Sequence, residues 1–175
     1  MVAARGQRDV KDALEIERVW LLSGLPPLPA HHTTWQLEQG YLVAEDGRAE
    51  GRVRATTLPS GVREFHFNIK SGTGLIRHER EETIDLLAFE SAWKRTLGRR
   101  LRKLRHRVCE GELTFEVDEF LDLSLVLVEV ELPRADTLVH LPEWLTGLVI
   151  REVTNESGYR NFNLAVHGAP APRGG

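Results

Sequence analysis

Charged residues at alternate positions recur in six segments of the chain, all rich in strand-forming residues. The first such segment is 14–22, LEIERVWLL. At a period of two residues, its apolar side chains fall on one face of a strand and Glu15 and Glu17 fall on the other, with Arg18 as the one polar residue on the apolar face. Two carboxylates about 7 Å apart repel each other unless cations lie between them. A strand with this pattern therefore needs positive charge beside it.

The other charged sets repeat this arrangement, and most of them carry one sign of charge. They are Arg52/Arg54, Arg77/Glu79/Glu81, Lys103/Arg105, Glu116/Asp118 and Glu129/Glu131, with Lys70 beside them. One interpretation is the solvated outer face of an antiparallel sheet, but such a face is expected to mix Ser, Thr, Asn and Gln with the charges. Like charges on neighbouring positions also cost energy in water. The pattern favours the other interpretation, in which the charged faces line a shared interior.

The remaining periodicity predicts the fold class. Strands are predicted at 14–22, 33–43, 51–57, 62–70, 75–84, 101–108, 113–120 and 125–132, with a turn at 71–74. Apolar residues at three- to four-residue spacing between Leu86 and Leu97 predict a helix that ends near Arg100, with Asp85 as its N-cap. A short helical turn is predicted at 142–145 and a final helix near 159–166. The fold class is α+β and mainly antiparallel β, since eight strands can close into a barrel with a few flanking helices.

Length, charge and cysteine content limit the functional class. The 175 residues fit one domain at 14–167, with a flexible N-terminus at 1–13 and a disordered tail at 168–175. A net charge of −3 argues against a general nucleic-acid or membrane-surface binder. The single cysteine, Cys109, excludes an internal disulfide, and no apolar run approaches the roughly 20 residues of a membrane span. These features predict a cytoplasmic protein with no nucleic-acid or membrane partner; they predict no oligomeric state.

The charges of the predicted interior suit a metal-bound polyphosphate. Six cations would line it (Arg52, Arg54, Lys70, Arg77, Lys103, Arg105), together with eight anions (Glu15, Glu17, Glu79, Glu81, Glu116, Asp118, Glu129, Glu131). Arginine binds phosphate oxygens bidentately, and surplus carboxylates bind hard divalent cations such as Mg²⁺ or Mn²⁺. The expected partner is a triphosphate-containing small molecule. Other chemistries lack support, because the chain has no HExxH, GxSxG or GxxxxGK[ST] motif.

An ordered set of short motifs resembles a known family. The motifs are LEIER, EGRVR, NIKSGTG, LIRHERE, KLRH, FEVDEF, VEVEL and EVTNESGYRNFNL, spread over 14–166. In this order and at these intervals they resemble the CYTH superfamily, the triphosphate tunnel metalloenzymes. The resemblance implies an eight-stranded antiparallel tunnel that binds a triphosphate and a divalent metal and usually hydrolyses the triphosphate.

The resemblance carries over to particular positions. Glu15 and Glu17 match the first two members of the family's ExExK signature, and the strand of Arg77, Glu79 and Glu81 matches its RxExE strand. Matches to the family's other basic and acidic positions are Arg52, Arg54, Lys70, Lys103, Arg105, Glu129 and Glu131. We hypothesise three roles. The substrate would be bound by Arg52, Arg54, Lys70, Arg77, Lys103 and Arg105, and Mg²⁺ or Mn²⁺ by Glu15, Glu17, Glu129 and Glu131. The attacking water would be positioned by a second metal ion or by one of the carboxylates Glu79, Glu81 and Asp118.

One departure from the family concerns the lysine of ExExK, which falls at Val19. The substitution removes one ammonium from the tunnel and leaves three functional classes open. The first is a hydrolase of inorganic tripolyphosphate or of an organic triphosphate such as thiamine triphosphate. The second is an adenylyl cyclase of the type that the family also contains, and the third is a non-catalytic polyphosphate or nucleotide sensor.

Overall fold

The computed structural model describes residues 10–45, 49–71 and 75–171, and at a few strand positions, Lys70 among them, it describes the backbone alone. Within these ranges the chain forms nine strands and two α-helices. They are β1 (Val10–Leu22), β2 (Thr33–Val43), β3 (Ala49–Thr57), β4 (Arg63–Ser71), β5 (Ile76–Thr83), α1 (Leu86–Lys94), β6 (Arg100–Glu110), β7 (Leu113–Phe120), β8 (Val126–Glu131), β9 (Val149–Glu152) and α2 (Asn161–His167). Short 3-10 helices lie at Glu143–Leu145 and Ser157–Tyr159.

Eight of the described strands form a closed antiparallel barrel, which confirms the predicted fold class. The hydrogen-bonded order is β5-β4-β3-β2-β6-β7-β8-β1, and β1 pairs back with β5 to close the ring. Strand β1 changes its pairing partner between Ile16 and Glu17: residues 10–16 pair with β5, and residues 17–22 pair with β8. The barrel is therefore closed by a strand that two others share.

Alternation along the strands separates a polar interior from apolar outer faces. On the outside of β1, β7 and β8, Trp20, Phe115 and Val128 are buried and pack against Leu145. On the outside of β3, Val53 and Ala55 pack against Phe89 of α1. Burial of these outer faces leaves the inward positions to the charged residues. The sequence pattern therefore places the core mainly around the barrel wall rather than inside it.

A third apolar cluster lies on the inward face. Val19, Leu101, Phe120 and Leu127 follow the alternation of the inward charged residues on their strands and pack against Leu164 of α2. The C-terminal helix therefore covers an apolar portion of the interior, and the polar portion of the cavity lies beyond it.

The predicted helix is shorter than its apolar spacing suggests. It starts as predicted, with Asp85 Oδ1 accepting a hydrogen bond from Ala88 N at 2.8 Å. It ends at Lys94 rather than at Arg100, and turns follow up to Gly98, whose φ of 77° favours glycine. Leu97 lies beyond the end of the helix and is 75% exposed, so the prediction that the helix includes it was wrong.

Other differences lie at the ends of elements. Strand β1 begins at Val10, four residues before the predicted start, and β9, which pairs with the end of β1, was not predicted. The predicted flexible N-terminus lies outside the described residues up to position 9, as do positions 72–74 of the predicted turn and positions 172–175 of the predicted tail. In the described part of the chain, no helix has the length and apolar character that a membrane span requires.

Candidate active site

The barrel encloses a cavity of about 540 Å³ that collects the predicted site residues. Each predicted site residue with a described side chain lines this cavity, with the exception of Asp118. The side chain of Lys70 lies outside the described part of the structure, although its backbone pairs with Glu79 in the sheet. The cavity is thus lined by charged residues from β1, β3, β5, β6 and β8, in agreement with the interior predicted from the alternating pattern.

On one side of the cavity, Lys103, Arg105, Glu116, Asp118 and Glu129 form a buried ion-pair network, here called the β6–β8 network. Asp118 Oδ1 accepts a hydrogen bond from Arg105 Nε at 2.7 Å, and Asp118 Oδ2 accepts one from Arg105 Nη2 at 2.7 Å and another from Lys103 Nζ. The side chains of Lys103 and Asp118 are 1% and 0% exposed. The charges of Lys103 and Asp118 are therefore paired with each other and removed from solvent.

Arg105 also joins two facing carboxylates. Glu116 and Glu129 are directly opposite each other in the β7–β8 register, and like charges at such positions destabilise a sheet. Arg105 Nη1 donates to Glu116, and its Nη2 donates to Glu129 Oε2 at 2.5 Å. Burial raises the pKa of Asp118, but Arg105 and Lys103 outweigh it, so this pKa lies below its usual range. Asp118 is therefore ionised at neutral pH.

On another side, Arg52, Arg54, Asn68, Glu79 and Glu81 form a more open group, here called the β3–β5 cluster. Arg54 Nη2 donates to Glu81 Oε2 at 2.8 Å, and Arg52 Nη2 lies 3.6 Å from Glu79 Oε1. Asn68 Nδ2 donates to both glutamates, at 2.8 Å to Glu79 and 2.5 Å to Glu81. The Nε atoms of Arg52 and Arg54 are buried and have no hydrogen-bond partner in the described part of the chain. This cluster therefore keeps unused donors.

The ionisation of the β3–β5 cluster reflects its burial and its internal pairs. Burial, with a further contribution from Arg52, lowers the pKa of Arg54 to about 10, which leaves the guanidinium protonated at neutral pH. Burial raises the pKa of Glu81, but Arg54 and Asn68 outweigh it, so the pKa lies below its usual value. Arg54 and Glu81 are therefore both charged at neutral pH.

Arg77 of β5 connects these groups to β1. Its Nη2 lies 2.8 Å from Glu17 Oε1 and 3.3 Å from Glu15 Oε2, which explains how β1 holds two carboxylates on one face. Burial lowers the pKa of Arg77, but Glu17 and Glu15 outweigh it and raise this pKa above its usual value. Arg77 Nε is buried and lacks a hydrogen-bond partner among the described residues. Arg77 therefore offsets part of the negative charge of Glu15 and Glu17 and still has one donor available.

The predicted metal ligands meet where β1 pairs with β8. Glu17 is directly opposite Glu131, Glu129 is two residues further along β8, and no described residue forms an ion pair with Glu131. Within the described residues, no group of three or more His, Cys, Asp or Glu side chains is arranged to hold a metal ion. Guanidinium groups contact Glu15, Glu17 and Glu129 instead. Facing carboxylates with incomplete neutralisation are nevertheless a donor set that suits a hard divalent cation.

The sequence interpretation missed several uncharged lining residues. Asn68 lies on the polar face of β4, where its position between His66 and Lys70 was the available signal. Gln39 and Tyr41 lie on β2, where no charged pair marks the inward face, and Gln39 Nε2 donates to Tyr41 Oη at 3.0 Å. Burial raises the pKa of Tyr41 to about 12, so its hydroxyl stays protonated.

The C-terminal segment, here residues 153–163, also contributes to the lining. Its attachment to β1 is at Val19, whose N–H donates to Thr154 Oγ1 at 3.0 Å and whose carbonyl accepts from Val153 N at 2.8 Å. Asn161 Oδ1 accepts a hydrogen bond from Lys103 Nζ at 3.3 Å. Val19 itself lines the cavity and is 9% exposed. The departure from the ExExK signature is therefore inside the tunnel.

A closed barrel with a cavity lined by arginines and carboxylates defines a triphosphate tunnel fold, and comparisons with known proteins agree. An inorganic triphosphatase of Nitrosomonas europaea is 37% identical over 158 residues, which are 87% of this chain and 97% of that protein. An inorganic triphosphatase of Acetivibrio thermocellus is 39% identical over 66 residues, which are 37% of this chain and 40% of that protein. No family model matches the chain.

Solved structures give the same result. A crystal structure of an inorganic triphosphatase matches with a TM-score of 0.60 at 31% identity, over 89% of this chain and 97% of that one. A protein from Pyrococcus horikoshii with 17% identity shares the fold, with a TM-score of 0.51 over 69% of this chain and 78% of that one. The chain belongs to the CYTH superfamily of triphosphate tunnel proteins.

Proposed function

We propose that this chain is a metal-dependent triphosphatase that hydrolyses inorganic tripolyphosphate inside its barrel. The observation that carries the proposal is the set of buried Nε–H donors on Arg52, Arg54 and Arg77, which line the cavity without a hydrogen-bond partner among the described residues. An unsatisfied buried donor costs about 1–3 kcal/mol, so a ligand that supplies several anionic oxygens gains from each of them. The similarity to inorganic triphosphatases supports the same substrate class.

Substrate binding would replace existing ion pairs: phosphate oxygens would take the place of carboxylates as partners of the arginines. Arg54 contacts Glu81 and Arg77 contacts Glu17, so the carboxylates keep the guanidinium groups in position. Phosphate oxygens accept bidentate hydrogen bonds from such groups. The glutamates released by this exchange are then available to a cation or a water molecule.

Once released from their guanidinium partners, the carboxylates at the β1–β8 pairing would supply oxygen ligands to Mg²⁺ or Mn²⁺. Glu17 and Glu131 would hold the ion from facing positions, with Glu129 and Glu15 as the further predicted ligands. A bound divalent cation neutralises phosphate oxygens and so lowers the barrier to phosphoryl transfer. The protein groups contribute carboxylate oxygens at fixed positions on two paired strands.

The three predicted catalytic carboxylates divide into two roles. Glu79 and Glu81 line the cavity beside Asn68, where either can accept a hydrogen bond from a water molecule that attacks the terminal phosphorus. Phosphoryl transfer needs mainly alignment and charge stabilisation, so orientation of this water is a sufficient role. Asp118 does not line the cavity, and both of its oxygens accept from Arg105 or Lys103. We assign Asp118 to positioning these two cations.

The test is phosphate release from tripolyphosphate with Mg²⁺, with Mn²⁺ and after chelation. We expect metal-dependent release that Glu131→Gln removes while the far-ultraviolet spectrum stays unchanged. The matched control is Glu90→Gln, which alters an exposed glutamate on α1 and should leave turnover as in the unmodified protein. Turnover that survives chelation would refute metal dependence.

The products of the reaction separate this function from the two alternatives. Orthophosphate from tripolyphosphate identifies a triphosphatase, and cyclic AMP with pyrophosphate from ATP identifies a cyclase. Binding of tripolyphosphate with no product identifies a sensor. Parallel assays with tripolyphosphate, thiamine triphosphate and ATP also rank the substrates by kcat/KM.

A further inference from the structure

Arg160 is a cavity-lining residue that lies outside every strand. It occupies the extended position between the 3-10 helix Ser157–Tyr159 and α2, with φ of −73° and ψ of 137°. Its backbone is fixed on both sides, since its N–H donates to Ser157 O at 3.1 Å and its carbonyl accepts from Leu164 N at 2.9 Å. The side chain therefore starts from a well-defined point on the tunnel wall.

The Arg160 guanidinium lies in the electrostatic field of the site. Arg160 Nε is buried and has no hydrogen-bond partner in the part of the chain that the structure describes. Burial lowers the pKa of Arg160, Arg77 lowers it further and Glu17 opposes this effect, so Arg160 is close enough to interact with both. Arg160 thus resembles Arg52, Arg54 and Arg77 in having an unused buried donor beside the cavity.

The segment that carries Arg160 is tied to the position where the signature lysine is absent. Val153 and Thr154 both form hydrogen bonds with the backbone of Val19, and Asn161 accepts from Lys103. These contacts fix the C-terminal segment along the inner end of β1. Arg160 therefore comes from a segment adjacent to Val19, and the charge of Glu17, two residues before Val19 on the same face of β1, acts to raise the pKa of Arg160.

We propose that Arg160 binds a phosphate group of the triphosphate and so replaces the cation that Val19 removes from the tunnel. The inference rests on the proposed triphosphatase function and extends it by one substrate-binding residue. A guanidinium at this place offers a planar pair of donors, whereas the lysine of the signature offers a point charge. The substitution at position 19 is then a relocation of charge from β1 to the C-terminal segment.

A set of variants at positions 160 and 19 tests the proposal by calorimetric titration with tripolyphosphate and by steady-state kinetics. Arg160→Gln removes a charge-assisted hydrogen bond to phosphate, so it should weaken tripolyphosphate binding by about tenfold or more. Arg160→Lys should retain most of the affinity. The control is Arg134→Gln, since Arg134 is an exposed residue that is paired with Asp136 and does not line the cavity.

The second step of the test is rescue. In the Arg160→Gln background, Val19→Lys should restore affinity and turnover, and it should have a smaller effect when Arg160 is present. Equal effects of Val19→Lys in the two backgrounds would overturn the replacement of one cation by the other. Unchanged binding in Arg160→Gln, with tripolyphosphate still bound by the unmodified protein, would overturn the role of Arg160 alone. Failure of the unmodified protein to bind tripolyphosphate would overturn the proposed function as well.

The lysine variant keeps the test informative if Arg160→Gln does not fold. Arg160→Lys keeps the positive charge, so a folded Arg160→Lys variant that binds tripolyphosphate about tenfold or more weakly would contradict the replacement of the signature lysine by Arg160. Thermal unfolding of every variant separates loss of fold from loss of binding.

Discussion

The β6–β8 network and the β3–β5 cluster contain similar residues but differ in how their donors are used. In the β6–β8 network, Lys103 and Asp118 are buried and Arg105 contacts three carboxylates. In the β3–β5 cluster, Arg52 and Arg54 each keep a buried Nε–H without a partner among the described residues. The same residue types thus form fully paired charges on one side of the tunnel and, on another side, arginines with hydrogen-bond donors that have no described partner.

This difference teaches that charge alone does not identify the residues that contact substrate. A buried ion pair is weak evidence for net stabilisation, but removal of one partner is expensive because it leaves an uncompensated charge. A hydrogen-bond donor without a partner, in contrast, can form a new hydrogen bond with a ligand. We therefore expect changes in the β6–β8 network to act mainly on folding and changes in the β3–β5 cluster to act mainly on ligand binding.

The largest effect is expected for Asp118→Asn. The variant leaves Lys103 and Arg105 buried with one carboxylate fewer, so the free energy of unfolding should fall by about 3–5 kcal/mol. Chemical denaturation monitored by tryptophan fluorescence measures this change. A loss below about 1 kcal/mol would show that the network is not a structural requirement and would remove the contrast.

Acid should remove the same contribution from the unmodified protein. The pKa of Asp118 is lower in the folded state than the value of about 3.9 in an unfolded chain. Its stabilising contribution is therefore fully present above about pH 4 and is lost as the pH falls through the folded-state pKa. Unfolding free energies measured between neutral pH and about pH 2.5 should fall less steeply for Asp118→Asn, and parallel curves would contradict this assignment.

In the β3–β5 cluster, Arg54→Gln should act on binding. Loss of its contacts with phosphate oxygens should weaken tripolyphosphate binding by about tenfold or more. The free energy of unfolding should fall less than in Asp118→Asn, because Glu81 keeps its hydrogen bond from Asn68. Calorimetric titration and denaturation of the same sample compare the two quantities. A variant with normal affinity and reduced stability would reverse the roles proposed for the two groups.

The smallest effect is expected outside the tunnel. Arg18 forms a paired contact with Glu152 on the outer face of β1, at 3.0 Å and 2.5 Å, with both side chains about a third exposed. Arg18→Gln should lower the free energy of unfolding by about 1 kcal/mol at most and should leave tripolyphosphate affinity unchanged. A clear loss of affinity would mean that charge outside the barrel contributes to binding.

The sequence predicted the parts of the structure that repeat. Alternation of charges on successive strands placed Arg54, Glu81 and Arg105 in a shared interior, and the count of eight strands together with the family resemblance predicted the barrel. Periodicity carries this information because inward and outward positions alternate along every strand. It fails where an inward residue is uncharged, as for Gln39, or where a residue lies outside a strand, as for Arg160.

Pairing details also lie beyond a periodic pattern. Asp118 and Glu81 are each the last residue of a set of charges at alternate positions. Asp118 is nevertheless enclosed by Lys103 and Arg105, whereas Glu81 lines the cavity. That distinction depends on which strands become neighbours and at what register. The helix end at Lys94 has a similar cause, since the turns to Gly98 connect α1 to β6 and interrupt an apolar spacing that continues to Leu97.

The change of partner within β1 has a kinetic consequence. Ile16 pairs with Ile76, about 60 residues away, and Glu17 pairs with Glu131, more than 110 residues away, so closure of the ring depends on contacts between residues far apart in the chain. Such contacts form slowly during folding, whereas the adjacent hairpins can form early. The glutamates of β1 thus lie on the seam of the barrel. A ligand held across that seam slows its local opening, and the amide hydrogens of β1 then exchange with solvent more slowly than in the free protein.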